Sequence, residues 1–358
     1  MSDHDEPVAG DSAPAAPSTS FGRGVATARR AVSGPNKPAL VVSLLVSLFA
    51  ALFVASYSLA MGNPQPHDVP IGLVSQSVTA DQLDANLENV SGTSFVVQEF
   101  ATSADAKEAI EQQQIYGAVV TADAGDGSTT SPELYISTAS GASVARLIEA
   151  DAASIGAKLG ITLTVTDLNP LAASDPGGLV LFYLALACTI IGFVGAIQTR
   201  VNAGLTLAGE LIWDVARAAL VGLVVTLTAG PILGFESFPI LPVWAVLSVT
   251  VFIAGAVYSF FRVVIGGRWA LLPTWVLFIL VSNPSSGGAV APQLLPPFYE
   301  FMGRWMPTGA TVRALRDLTY FPNAGHPEPY LVLGVWLLVA TAAFVIARRI
   351  KYGAGRIG

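Results

Sequence analysis

Apolar residues gather along this chain in uncharged blocks, with the charges placed between the blocks. No residue between Lys37 and His67 is charged, and Pro38 to Met61 is long enough to cross a bilayer, which takes ~20 apolar residues. A second block lies between Asp175 and Arg200. A third lies between Arg217 and Glu236 and extends back to Leu211, and a fourth lies between Glu236 and Arg262. Arg268 to Glu300 is uncharged throughout, but its regular apolar part ends near Val281. A last block runs from Pro329 to Ala347. The pattern predicts an α-helical polytopic membrane protein with six transmembrane helices. The first block is longer than the apolar core of a signal peptide and follows a tail of 37 residues, so it is read as an anchor that stays.

Between the first two blocks the pattern changes. Residues 62–175 alternate like strands at Pro70–Val74, Ser94–Phe100, Tyr116–Thr121, Glu133–Thr138 and Ile161–Val165. Thr79 and Gln82 have the spacing of a capping box that opens a helix with Leu83 and Leu87 on one face. Ser103 is read as the cap of a second helix through Gln113. A third starts at Ala142, carries Val144, Leu147, Ile148, Ile155 and Leu159 on one stripe, and stops at Gly160. A Gly/Ser/Asp turn separates the third and fourth strands. The segment is predicted to be a small α/β domain with a buried sheet. Asn89-Val90-Ser91 matches a glycosylation acceptor, a motif common by chance.

Composition sharpens this picture. Only 12% of the residues are charged, about half the usual ~25%, and the mean hydropathy is +0.60. A net charge of −7 argues against a nucleic-acid partner. By count, residues 62–175 hold fifteen acids and three bases. With the N-terminus in the cytoplasm, twelve of the eighteen Lys and Arg residues fall on the inner side, which predicts both termini inside, the α/β domain outside, and the cell membrane as location. The domain plan is then a tail over 1–37, a first span over 38–61, the α/β domain over 62–175, a five-helix domain over 176–350 and a tail over 351–358. The first twenty residues are expected to be disordered. Phe21–Ala31 reads either as a helix on the inner leaflet or as a positive anchor.

Candidate chemistry is sparse. The one cysteine, Cys188, lies in an apolar block and reads as an inert buried thiol. His4, His67 and His326 are far apart, so no metal site is expected. No Gly-Lys dipeptide exists, which removes the phosphate loop of common ATPases. No catalytic constellation and no cofactor motif is present, so the chain is not read as an enzyme. No ionisable residue falls at the centre of a predicted span, which disfavours a proton-driven carrier.

Three stretches stand out. Thr199–Arg217 carries Glu210, Asp214 and Arg217 at helical spacings that permit an ion-pair ladder, either as interfacial decoration anchored by Trp213 or as a helix docking on a cytoplasmic partner. The run after the fifth block holds Pro284, Ser285, Ser286, Gly287, Gly288, Pro292, Pro296, Pro297 and Pro307, and cannot continue as a regular helix. Over 282–328 it reads as a broken, re-entrant segment near the outer face or as a loop on the bilayer surface. Thr308–Phe321 places Val312, Leu315 and Leu318 on one face, with Arg313, Arg316 and Asp317 turned away, and is expected to lie in the outer interface.

One span, a large α/β insertion and five more spans resemble the type-2 ABC exporter permeases, most of all their YhgE/Pip-like branch. The resemblance covers roughly residues 38–350. It rests on VPIGLVSQS, on AKEAIEQQQIYGAVV, and above all on NPSSGG followed by PPFYEFMGRWMPTGATVRALRDLTYF. It implies a permease that forms a homodimer or heterodimer in contact with membrane lipid and pairs with a separate cytoplasmic ATPase. Glu210, Asp214 and Arg217 would then lie in the coupling loop. The expected function is ATP-powered export of a hydrophobic or amphipathic substrate such as a drug, lipid or envelope precursor. The alternatives are a membrane receptor whose outer domain binds a ligand, protein or phage, and an accessory subunit of another exporter.

Overall fold

The computed structural model describes residues 36–91, 95–121, 131–202, 204–235, 238–353 and 355, with side chains at 87–91 and 200–202 excluded. The expectations for the N-terminal tail, Phe21–Ala31, the 122–130 turn and the end of the C-terminal tail lie outside the described residues, as do the side chains of the Asn89-Val90-Ser91 motif. The chain divides into two units, 1–54 and 55–358. In the first unit the described residues form most of α1 (Lys37–Met61). Ser43 and Ser47 donate to the carbonyls one turn back, Ala39 and Ser43, both at 2.8 Å, so neither hydroxyl is left unbonded in an apolar helix.

The second unit continues from the end of α1 into the α/β domain. Its strands β1 (Val69–Val74), β2 (Phe95–Glu99), β3 (Gly117–Val120), β4 (Glu133–Ile136) and β5 (Thr164–Asp167) form a sheet in the order β2-β1-β3-β4-β5. β3 and β4 are antiparallel and the other neighbours parallel. The buried pattern of β1 and β3 fits central strands, whereas β2 and β5 alternate as edges do. Helices α2 (Ala80–Ser91) and α4 (Ala142–Leu159) cover one face, where Leu83, Val144, Ile148 and Ile155 pack on Ile71, Val119 and Leu134. Helix α3 (Ser103–Glu111) covers the other face through Ala106, Ala109 and Ile110.

The local signals for these elements act as the spacing predicts. The Thr79 amide donates to Gln82 Oε1 at 3.1 Å and the Gln82 amide to Thr79 Oγ1 at 3.3 Å, a closed capping box. Gly160 ends α4 in the left-handed region, at φ 70°. The cap of α3 is Thr102 rather than Ser103: Thr102 Oγ1 accepts from the Asp105 amide at 3.1 Å, and Ser103 is already helical. That helix ends at Glu111 rather than Gln113, because Gln113 takes a positive φ of 52°. The last strand also sits later than the alternation suggested.

Five helices are long and apolar enough to cross a membrane: Lys37–Met61, Val180–Thr199, Leu207–Ile232, Ile240–Ile265 and Glu328–Tyr352. The chain is therefore a helical polytopic membrane protein with a small sheet. They belong to α1, α5 (Val180–Asn202), α6 (Leu207–Leu227, with wide turns through Ile232), α7 (Ile240–Ile265) and α11 (Glu328–Tyr352). The apolar stretch after Arg268 is shorter. It forms α8 (Gly267–Trp275) and continues in wide π turns to Ser282. A 16-residue helix would be ~24 Å long at 1.5 Å per residue, less than the ~30 Å apolar core of a bilayer. Pro273 removes a backbone donor within it, and the Asn283 amide reaches five residues back to the Phe278 carbonyl at 2.9 Å.

Helix α7 is the hub: α5, α6, α8, α11 and α10 (Pro307–Tyr320) all pack on it. Small residues allow close approach at particular points of these interfaces, as expected where lipid removes the hydrophobic drive between helices. On α6 the inward stripe is Glu210, Asp214, Ala218, Gly222 and Thr226, while Ile212, Trp213, Leu220 and Val224 are exposed. A Cβ on Gly222 would collide with Ser248 of α7, and one on Gly192 of α5 would lie 2.6 Å from the Val251 carbonyl. Gly222→Leu is thus expected to cost about 1–3 kcal/mol or more through overpacking. Leu220→Ala on the exposed face should cost far less. Thermal unfolding of the two variants in the same detergent checks this, and equal losses would contradict the α6–α7 packing.

Candidate functional site

The proline-rich run after Ser282 folds into a buried turn, a 3-10 turn at Pro292–Leu294, and helix α9 (Pro297–Trp305), which meets α10 at Met306. Pro284, Ser285, Ser286 and Gly287 are buried, Gly288 and Pro292 partly so. The structure brings these six predicted residues together in one turn and sets Pro307 at the start of α10 beside it. Gly287 adopts a φ of 70°, which suits glycine. A Cβ on Gly303 of α9 would strike the Ser285 carbonyl, so α9 lies directly on the turn.

Protein groups hold this backbone. Ser282 Oγ donates to Thr308 Oγ1 at 2.8 Å and accepts from the Thr308 amide at 3.3 Å. At the end of α1, Ser56 Oγ donates to the Leu280 carbonyl at 2.6 Å and shares a 3.0 Å hydrogen bond with the Tyr299 hydroxyl. Asn283 Nδ2 donates to the Tyr57 hydroxyl at 3.2 Å. Three carbonyls at the end of α9 are capped from other helices: Arg313 donates to Gly303 and Arg304 at 2.9 and 2.8 Å, and Trp336 Nε1 donates to Trp305 at 2.7 Å. Burial pulls the Arg313 guanidinium below its ordinary pKa.

The same run docks on the α/β domain. Ala291 and Leu294 are buried in the core formed by the sheet and α4. The Ala291 amide donates to Ser143 Oγ at 3.1 Å. Gln293 accepts twice, at its carbonyl from the His67 amide at 3.0 Å and at Oε1 from the Tyr116 hydroxyl at 2.6 Å. His67 Nε2 lies 3.2 Å from Glu300 Oε2, while Arg304 approaches Oε1 of the same carboxylate at 3.2 Å.

A cleft of about 510 Å³ opens at this junction. Gln113, Tyr116 and Ser140 line it from the α/β domain, Ser285 to Gly287 from the turn, and Glu300, Arg304, Arg313, Arg316 and Asp317 from the two short helices. Arg316 Nη2 donates to the Gly287 carbonyl at 3.1 Å. Asp317 Oδ1 accepts from Gln113 Nε2 at 2.7 Å and stands 3.4 Å from His326 Nδ1, whose Nε2 is 3.1 Å from the Gln112 carbonyl. Burial pushes the Tyr116 hydroxyl up to about 12, with Arg316 pulling the other way, and burial also lowers the Arg316 guanidinium. No family model, curated protein or solved structure matches this chain. Its functional reading therefore rests on its own geometry. Among the described residues, no three His, Cys, Asp or Glu side chains gather to hold a metal.

Two expectations change. Helix α10 forms over the predicted run but does not lie on a surface. It is buried on most sides, with Thr311 Oγ1 2.7 Å from Thr250 Oγ1 of α7 and Leu315 in the helical core. Its threonines, glycine and alanines make an inward face that polarity alone marks as outward. Arg313, Arg316 and Asp317 do point away from Leu315, into the cleft. The predicted loop Thr199–Arg217 is mostly helix, since α5 runs to Asn202 and α6 starts at Leu207.

Glu210 and Asp214 are buried rather than displayed. Arg217 Nη1 donates to Asp214 Oδ1 at 2.8 Å and to Thr199 Oγ1 at 3.2 Å. Its side chain fits over Gly195 and Gly255, where a Cβ would lie 2.7 Å from it. Glu210 Oε2 is 3.7 Å from Arg348 Nε of α11, and Arg348 donates to the Gly353 and Gly355 carbonyls at 2.7 Å each. Asp214 and Arg217 thus lie within the candidate span Leu207–Ile232, as they do where the third apolar block is extended back to Leu211. Tyr116 and Gln293 are site residues that sequence reasoning did not single out; in the sequence Arg316 and Asp317 read only as the polar face of an interfacial helix, and His326 only as an isolated histidine.

Removing one member of a buried ion pair strands the other, at about 3–5 kcal/mol. Asp214→Ala is therefore expected to lower the melting temperature sharply, and Asp214→Leu combined with Arg217→Leu to recover much of the loss. Unchanged stability in the single variant would return these residues to an exposed role. A second prediction concerns His67. Burial works against its charged form, but the Gln65 carbonyl and Glu300 outweigh it and raise the pKa. A raised histidine pKa stabilises the fold fully below the unfolded value and loses that contribution as pH rises through the folded value. The melting temperature of the wild type minus that of His67→Gln should thus be positive in acid and shrink above neutral pH. Glu300→Gln should flatten the difference.

Proposed function

We propose that this chain is the membrane-spanning subunit of an exporter for a hydrophobic or amphipathic substrate, powered by a separate ATPase. The observation that carries this reading is the placement of α9. One side of that helix supplies Glu300 and Arg304 to the charged cleft, while Phe298, Phe301 and Trp305 on its other side are exposed. Aromatic side chains of this kind favour the boundary between lipid and water. A polar cleft beside a lipid-seeking face suits a cargo with a polar head and an apolar body.

Further features support it. The sequence has no phosphate loop, so ATP hydrolysis belongs to another subunit. Counting the short helix Gly267–Ser282 as a span gives six, with both termini cytoplasmic and the α/β domain outside at the cell membrane. The exposed apolar residues on α6 and α11 leave surface for lipid or for a second permease copy. Because Glu210 and Asp214 face inward, contact with the ATPase falls to the connection before α6 and its exposed first turns, where Ile212 and Trp213 lie outward.

Inside-out vesicles from cells with and without the chain test the proposal. ATP-dependent accumulation of a fluorescent amphipathic dye or a fluorescent phospholipid should require the chain and be abolished by deletion of residues 292–306. Equal accumulation in both vesicle types would overturn export as its function.

A further inference from the structure

The cleft holds two opposite charges that are not spent on each other. Arg316 makes one hydrogen bond, to the Gly287 carbonyl, and forms no ion pair with a carboxylate among the described residues. Its remaining guanidinium donors lie at the junction of turn, α10 and α/β domain. Asp317 has a side chain 9% exposed, and its Oδ2 has no hydrogen-bond partner. Leaving a buried carboxylate oxygen unbonded costs stability, and a donor arriving with a ligand is one way such a cost is met. Arginine is the side chain suited to a phosphate, because its planar fork gives two parallel N–H bonds to two oxygens. A carboxylate beside it suits an ammonium group. About 510 Å³ is room for a headgroup with part of its backbone, within the ~300–1,000 Å³ of small-molecule pockets.

The tail of the ligand has a place as well. Phe298, Phe301 and Trp305 on α9, and Tyr330, Leu331 and Val335 at the start of α11, are exposed apolar side chains. The cleft reaches the α11 end of this surface at Pro327 to Pro329 and the α9 end at Arg304. We infer that the cleft binds the zwitterionic headgroup of a phospholipid-like amphipath, its phosphate on Arg316 and its amine toward Asp317, with the apolar part along α9 and α11. This rests on reading the cleft as the substrate site, and it names the class of substrate.

Equilibrium binding tests it without any ATPase, so it can hold even where export fails. The full chain in detergent is titrated with short-chain phosphatidylethanolamine, short-chain phosphatidylglycerol, O-phosphoethanolamine and inorganic phosphate. Phosphatidylethanolamine should bind tightest. Losing a charged hydrogen bond is worth roughly tenfold or more in affinity. Arg316→Gln should therefore weaken both lipids by that order, while Asp317→Asn should weaken phosphatidylethanolamine and spare phosphatidylglycerol. If Arg316→Gln does not fold, Arg316→Lys, which keeps the charge and loses the fork, should show the same direction. Equal affinity for the two lipids, or wild-type affinity in the Asp317 variant, would overturn the amine contact. O-phosphoethanolamine or phosphate binding as tightly as the lipids would overturn the amphipath. No saturable binding of phosphatidylethanolamine would overturn the site.

Discussion

A buried backbone that leaves helical geometry must have its polar groups satisfied within the protein, since burial takes away their hydrogen bonds to solvent. Residues 282–306 impose that demand, and much of the surrounding side-chain placement meets it. Arg313 and Trp336 close the last carbonyls of α9, Arg316 takes Gly287, and the His67 amide takes Gln293. Ser56 secures Leu280 just before the turn. These donors come from α1, α10, α11 and the segment just before β1. One irregular stretch therefore organises elements from both ends of the chain.

The charge distribution follows from the same economy. Arg313 is consumed by capping and is loosely paired, 3.9 Å from Glu328. The adjacent Arg316 and Asp317 retain capacity, because Arg316 bonds a single carbonyl and Asp317 takes its partners, Gln113 and His326, at Oδ1 alone. On α6, by contrast, Asp214 and Arg217 are closely paired and roofed by glycines on α5 and α7. The first arrangement leaves chemistry available to a ligand, and the second locks helices together.

What the sequence reveals depends on how local the cause is. The capping box at Thr79 and Gln82, the stop at Gly160 and the alternation of β1 and β3 act within a few residues, and all can be read directly. The choice between Thr102 and Ser103 as a cap turns on which of two adjacent hydroxyls reaches the Asp105 amide, a matter of backbone angle. The i, i+3 spacing of Asp214 and Arg217 correctly indicates a pair, but not its burial. Glu210 finds Arg348, a partner far along the chain that no periodicity announces. Helix α10 misleads because Thr308, Gly309, Thr311 and Ala314 serve close helix packing, so a polarity pattern built for water assigns the wrong surface. The prolines and glycines at 284–292 mark a break legibly. The cleft beside them does not show, because Gln113 and Asp317 meet across 204 positions.

The burial of Ala291 and Leu294 in the α/β core has a consequence for modularity. By chain order, residues 62–175 look like a cassette inserted between two spans. Physically, the cassette is incomplete: its hydrophobic centre is finished by a piece of the membrane part that arrives more than a hundred residues later. Moved alone to another scaffold, the domain would leave bare the hydrophobic surface that Ala291 and Leu294 cover. The folding unit at this junction is therefore a pair of segments, the insertion and its distant plug, rather than either alone.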